Sequence, residues 1–222
     1  MTLSRRGPRY RSVVFDCDST LSAIEGIDEL AGPLKAEIAS LTDAAMRGEV
    51  PLEEVYGRRL ALVRPSRERV EALGRQYVER VVPGAAEAVA ALRRAGVVVR
   101  AVSGGLLPAI HALTRSLGLT DEDVAAVGVC FDAAGEYAGF DVASPLARTG
   151  GKAEVLRRWA RELPRPVLMV GDGVTDLEAR PPADAFLAFT GVATRPGVVA
   201  AADHASGSMA EVVALVLDGP AG

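Results

Sequence analysis

Asp16 and Asp18 stand one residue apart immediately after the apolar run VVF at 13–15. A buried strand that ends in two carboxylates either begins a turn there or holds something positive. A second acidic pair, Asp172 and Asp176, brackets the glycine-rich turn GDGVTD that follows VLMV at 167–170. If the chain stays extended beyond Phe15, Asp16 and Asp18 project to one side and Cys17 to the other. Four carboxylates in one small space would repel, each close pair by about 4 kcal/mol at ~4 Å and an effective dielectric near ~20. A cation must offset that repulsion. Mg²⁺ is the natural candidate, because a hard ion prefers oxygen ligands and keeps room for water and a substrate phosphate. Lys152, in TGGK, can supply a second positive charge. Ser103 with Gly104 and Gly105 offers a hydroxyl and unobstructed backbone N–H groups just ahead of Pro108, which marks a helix start suited to an anion. The set is suited to a phosphoryl group.

Each piece also has a plain reading. DxDxT can be a strand ending in an Asx-turn, SGG and GDG can be ordinary turns, and Lys152 can be a solvated helix residue. What joins them is position, since ligands of an open parallel sheet sit outside the carboxyl ends of its strands. The elements that must hold these loops are the short apolar runs VVF, VVVRAV at 97–102, VLMV and AFLAF at 185–189. Continuous rather than alternating hydrophobicity suits strands covered on both faces. With helical segments between them, they predict a doubly wound α/β core with a parallel sheet.

GAAEAVAALRRAG reads as a core helix closed by Gly96, and GKAEVLRRWAREL and SMAEVVALVL as further helices. Residues 124–142 suggest an edge hairpin around AAGEY, with SGG expected as a turn. Between the first two strands lies far more chain than one crossover helix requires. EGIDELAGPLKAEIASLTDAAMRGEV, LEEVYGRRLALV and SRERVEALGRQYVERV are helical in character, the last starting from Ser66. Residues 22–80 are therefore expected to form a helical insertion folded over the sheet, with 1–21 and 81–222 as the core.

The chain has 222 residues and is 49% hydrophobic, enough to bury a sizeable core in one domain with an insertion or in two small domains. A net charge of −4 gives no electrostatic reason to expect nucleic acid as a partner. Cys17 and Cys130 are too few and too far apart for a disulfide framework or a zinc site, which fits a reducing compartment. No stretch approaches the roughly 20 apolar residues that span a bilayer, and the N-terminus lacks a signal-peptide core. The expectation is a cytoplasmic protein with no membrane partner, monomeric or homodimeric.

FDCDST, VSGG, TGGK and GDGVTDLEA, in this order, resemble the four motifs of the haloacid dehalogenase-like phosphatase superfamily. FDCDSTLSAIEGIDELA, VPLEEVYGRRLALVRPSRE and GDGVTDLEARPPADAFLAF are similar to its phosphoserine phosphatases over long stretches, so the resemblance covers nearly the whole chain. It implies an Mg²⁺-dependent phosphomonoester hydrolase acting on phosphoserine. Asp16 would be the nucleophile, forming an aspartyl-phosphate. Asp18 would protonate the departing serine oxygen and later activate water. By the resemblance, Mg²⁺ is held by the Asp16 carboxylate, the Asp18 backbone carbonyl and the Asp172 side chain. Ser103, Gly104 and Lys152 would hold phosphate oxygens. Asp176 would orient Lys152 or a metal-bound water, with Thr20 and Thr175 in supporting positions inside their motifs. In the family the helical insertion is a cap that selects the substrate. Glu25 would receive the ammonium of phosphoserine, Arg59 would clamp its carboxylate with a two-pronged guanidinium, and Met46 and Leu52 would line an apolar wall.

Three rivals use parts of this chemistry. A phosphorylated receiver module carries its acidic pair on the first strand and the phosphorylated aspartate on a later one, an order this chain does not follow. A dehalogenase needs neither an acid for its leaving halide nor a metal, leaving Asp18 and Asp172 unexplained. A phosphatase or phosphotransferase for another small phosphomonoester would differ only in its cap.

Overall fold

The computed structural model describes residues 7–34, 36–38, 41 and 52–218. Strands β1 (Ser12–Phe15), β2 (Val98–Leu106) and β3 (Val124–Val127) run in parallel, and β4 (Val129–Phe131) and β5 (Tyr137–Phe140) pair separately as an antiparallel ribbon. Strands β6 (Val167–Gly171), β7 (Ala185–Phe189) and β8 (His204–Ser206) complete a parallel six-stranded sheet in the order β3-β2-β1-β6-β7-β8. The chain runs outward from β1 to β3, returns to the other side of β1 at β6, and runs outward again to β8. That reversal makes the sheet doubly wound and opens a crevice between the carboxyl ends of β1 and β6. Every residue of β1, β6 and β7 is buried, as their unbroken apolar runs require of strands covered on both faces.

The described helices are α1 (Gly26–Ala31), α2 (Leu52–Val63), α3 (Arg67–Glu79), α4 (Ala85–Arg94), α5 (Leu107–Ser116), α6 (Gly151–Trp159), α7 (Val174–Leu177), α8 (Pro196–Ala201) and α9 (Met209–Leu217). Ser66 Oγ accepts the Arg69 N–H and so starts α3, while Gly96 at φ 79° follows the end of α4 in the left-handed conformation that closes helices. α3 lies along α5, where Gly74 faces Ala109 and Ala112; a Cβ at 74 would come within 2.9 Å of the Ala112 methyl. α1 packs against both α2 and α3, so these three helices form one body beside the crevice.

Two local expectations change. Ser103, Gly104 and Gly105 lie inside β2 rather than in a turn, and the β2–β3 register shifts between Val102 and Leu106. Two adjacent glycines let the strand bulge there without side chains to place. The hairpin expected around AAGEY forms from β4 and β5, but as a separate ribbon; the edge of the main sheet is taken by β3, which buries Val127. Parallel pairing with the exposed edge of β2 satisfies the β3 backbone and covers its apolar side chains together. β8, with the sequence HAS, carries no apolar run and is held by its pairing with β7.

Gly151, the first residue of α6, sits so close to the preceding loop that a Cβ would run into the Pro145 carbonyl. Gly151→Ala is expected to destabilise the protein by about 1–3 kcal/mol, the cost of forcing atoms into a packed site, with urea unfolding as the measurement.

Candidate active site

The β1–β6 ladder continues one residue past β1, where the Asp16 N–H donates to the Val170 carbonyl at 2.9 Å and fixes Asp16 at the mouth of the crevice. The chain then tightens, with the N–H groups of Leu21 and Ser22 both donating to the Cys17 carbonyl at 3.0 Å. Cys17 is buried in the core. β6 ends at Gly171, where any Cβ would collide with the Asp176 carboxyl, so a glycine there admits Asp176 to the site. Asp176 Oδ2 also accepts the Gly173 N–H at 2.9 Å and caps α7. Lys152, in the first turn of α6, is 92% removed from solvent, with Nζ 2.7 Å from Asp16 Oδ1 and 2.6 Å from Asp176 Oδ1.

Asp16, Asp172 and Asp176 each offer a carboxylate oxygen within 4.8 Å of the others, and all three are buried. Burial pushes the Asp16 carboxyl well above the ordinary range, repulsion from Asp176 adds to this, and the Lys152 ammonium pulls it back. Burial raises Asp172 as well. For Lys152 burial acts in the lowering direction, but the carboxylates of Asp16 and Asp176 outweigh it, so the ammonium stays charged. Although Nζ lies beside Asp16 Oδ1, that oxygen makes no hydrogen bond of good angle. A buried all-oxygen set of three carboxylates, faced by one buried ammonium, fits a hard divalent cation. Thr20 Oγ1 donates to Asp172 Oδ1 at 3.4 Å.

Of the four aspartates expected to cluster, three do. The Asp18 carboxyl turns toward α1 and α3, where Oδ1 accepts the Gly26 N–H at 2.9 Å and the Tyr77 hydroxyl. Burial still raises its pKa, with these two donors opposing. Ser103 is buried beside it, its Oγ 3.5 Å from Asp18 Oδ2 and accepting the Gly105 N–H at 2.9 Å. The Gly104 carbonyl accepts the Tyr56 hydroxyl at 2.9 Å.

Asp16, Asp18, Gly104, Lys152, Asp172 and Asp176 face a cavity of about 250 Å³ that also receives Glu25 and Arg59, while Ser103 lies buried behind its lining. Glu25 directly precedes α1; its Oε1 accepts the Ser19 hydroxyl at 2.7 Å and lies 3.6 Å from Arg195. Ser19 adopts φ 51°, an uncommon conformation for a residue with a Cβ, and thereby brings its hydroxyl under Glu25. Burial and then the Asp18 charge push the Glu25 carboxyl up to about 7, a shift that solvent softens because 47% of its side chain is exposed. Arg59, on α2, pairs with Asp28 Oδ1 at 2.5 Å while its Nε is buried with no partner. Its neighbour Arg58 faces solvent beside Glu54. Thr175 lines the cavity, whereas Met46 and the Leu52 side chain lie outside the described residues.

Arg195, absent from the sequence-based set, reaches Asp172 Oδ2 with both Nε (3.0 Å) and Nη2 (2.9 Å). It lies in the loop after β7, the strand-end loop that the motif pattern passes over. Tyr56 stands three residues before Arg59 on the same face of α2, a spacing that could have marked it.

Residues 10–184 match the haloacid dehalogenase-like hydrolase family. The chain belongs to that family. Phosphoserine phosphatase from Mus musculus is 39% identical to it over 190 residues, covering 84% of each chain. The structure of a substrate-bound phosphoserine phosphatase complex is similar with a TM-score of 0.78 at 25% identity, over 93% of this chain and 98% of that one. A phospho-aspartyl intermediate analogue of phosphoserine phosphatase is similar with a TM-score of 0.76 at 26% identity, over 94% and 99%. In this member of the haloacid dehalogenase-like hydrolases, no helix among the described residues is long and apolar enough to cross a membrane.

Lys152→Met is expected to leave Asp16 and Asp176 buried without their cation and to cost about 3–5 kcal/mol at neutral pH. Because Asp16 titrates above its unfolded value, the native state binds the extra proton and the variant regains stability as pH falls. Urea unfolding in chelator at pH 5 and pH 8 measures both effects.

Proposed function

We propose that the chain is a phosphoserine phosphatase, hydrolysing O-phosphoserine to serine and phosphate through an aspartyl-phosphate on Asp16. One observation carries this reading: a single small cavity is lined at once by the Asp16, Lys152 and Asp172 cluster and by Glu25 and Arg59, two side chains of opposite charge. The first set suits phosphoryl chemistry, and the second matches the ammonium and carboxylate of an amino acid. Its volume suits a small phosphorylated metabolite.

In the first step an Asp16 carboxylate oxygen bonds to phosphorus as the bond to the serine oxygen breaks, and Asp18 delivers its proton to that oxygen. In the second, Asp18 takes a proton from water as the water oxygen attacks phosphorus and the Asp16 carboxylate departs. Serine's alkoxide is a poor leaving group, which is why an acid beside it matters. Lys152, Ser103 and the backbone at Gly104 hold the phosphate oxygens as charge shifts among them. Asp176 keeps Lys152 in place through their 2.6 Å contact, and Thr20 does the same for Asp172. Mg²⁺ suits the Asp16 and Asp172 carboxylates together with the Asp18 backbone carbonyl, and when bound it reduces repulsion between the anionic nucleophile and the phosphate.

Arg59 can serve two carboxylates at once, because a guanidinium presents more than one edge. Asp28 engages one of its Nη atoms, and the side chain also lines the cavity, where the rest of the guanidinium can meet a substrate carboxylate. In this reading 22–80 is the substrate-selecting cap over a core of 1–21 and 81–222, contributing Glu25 and Arg59. Two unpaired cysteines, Cys17 and Cys130, suit a reducing cytoplasmic setting.

Phosphate release from a panel of small phosphomonoesters, with and without Mg²⁺, tests the reading directly. Phosphoserine is expected to be turned over best, only with the metal, and not at all by Asp16→Asn; full turnover in chelator or by that variant would refute the mechanism. Arg59→Ala should lower kcat/KM for phosphoserine at least about tenfold, the worth of a hydrogen bond between charged groups, while leaving an aryl phosphate that lacks the amino-acid carboxylate nearly unaffected. Equal losses on the two substrates would count against the clamp.

A further inference from the structure

Tyr77 reaches the site from the last turn of α3 and is among the largest side chains that are completely buried. Its hydroxyl donates to Asp18 Oδ1, the same oxygen that accepts the Gly26 N–H at 2.9 Å. The contact is built from both sides. A Cβ on Gly26 would run into the tyrosine hydroxyl, so a glycine at that point keeps the path open. Ser22 Oγ donates to the carbonyls of Tyr77 and Arg80, each at 3.0 Å, tying the end of α3 to the loop that carries Asp18. Burial, followed by the Asp18 charge, raises the phenol well above its ordinary range, so it remains a donor. With Oδ1 committed to two donors, Oδ2 is the oxygen turned toward Ser103, 3.5 Å away, on the side of the bulged β2 segment that carries Gly104.

We propose that Tyr77 is a positioning residue for Asp18: together with the Gly26 N–H it pins Oδ1, so that Oδ2 faces the leaving-group oxygen. The proton passed to the departing alkoxide then comes from Oδ2, the O–H bond breaking there as the alkoxide gains its proton and the P–O electron pair. A carboxyl group turns broadly about its terminal torsion when nothing holds it. General acid catalysis needs the donor within about 2.6–3.2 Å of the atom it serves, so a wandering carboxyl would lose part of its effect. The inference rests on the phosphatase reading and adds a residue from the helical insertion to the acid's support. A role in packing alone would make no distinction between good and poor leaving groups.

The experiment compares Tyr77→Phe with the unaltered chain, full length and with Mg²⁺, on phosphoserine and on p-nitrophenyl phosphate. The aryloxide leaves without a proton, and kcat/KM reports the steps up to the first P–O cleavage. The ratio of kcat/KM for phosphoserine to that for the aryl phosphate is expected to fall roughly ten- to a hundredfold, a part of the ~10²–10⁴ that a general acid contributes. An unchanged ratio in folded Tyr77→Phe overturns the proposal. If thermal unfolding shows that this variant does not fold, Gly26→Ala, which crowds the tyrosine hydroxyl off the carboxyl, decides by the same ratio. An unaltered chain that turns over no phosphomonoester overturns the phosphatase reading instead, so the two failures are distinct.

Discussion

Lys152 between Asp16 and Asp176 is the interaction on which the rest of the site depends. Taking an ammonium and three carboxylates out of water is costly, and breaking such a set by removing one charge is costlier still. The fold meets this cost through close approach. Gly151 lets α6 close on the loop at Pro145, Gly171 lets the Asp176 carboxyl reach the end of β6, and Asp176 caps its own helix while holding the lysine. The half-exposed Arg195 adds a second positive charge at Asp172 from the outside. Acidity remains in excess among the buried groups, which suits a site that meets a metal ion and a phosphate.

A division of labour follows. The ends of β1 and β6 deliver Asp16 and Asp172 at the topological reversal, and the first turns of α6 and α7 bring Lys152 and Asp176 against them. The helices between β1 and β2 bring Glu25, Arg59 and Tyr77 over the same cavity or onto the group beside it. The acidic cluster and the charges of Glu25 and Arg59 thus come from different parts of the chain, and the family fold alone does not determine the substrate. Asp18 stands where the two meet, because its backbone belongs to the β1 loop while its carboxyl is held by α1 and α3.

Much of this was legible along the chain because it is written in local patterns. AFLAF and VLMV are buried strands, LEEVYGRRLALV is a helix with the same bounds as its apolar spacing, and Ser66 caps α3. Where two patterns compete, the reading fails. SGG has the composition of a turn, yet pairing with neighbouring strands keeps it in β2, and VAAV has the look of a hairpin strand, yet the open edge of β2 captures it. HAS has no pattern to read, and its strand exists only through β7.

The sequence by itself therefore determined the parallel α/β class, the helices between the first two strands, and the placing of acidic residues at strand ends, since hydrophobic period and turn chemistry act over a few residues. Tertiary structure decided which groups meet. It gathered three aspartates and set Lys152 against two of them, turned the Asp18 carboxyl away to Tyr77, set Asp28 against Arg59 and laid Arg195 on Asp172. Those partners lie tens of residues or more apart in the chain. Their meeting depends on how helices pack and where a missing Cβ leaves room, and no local pattern encodes that.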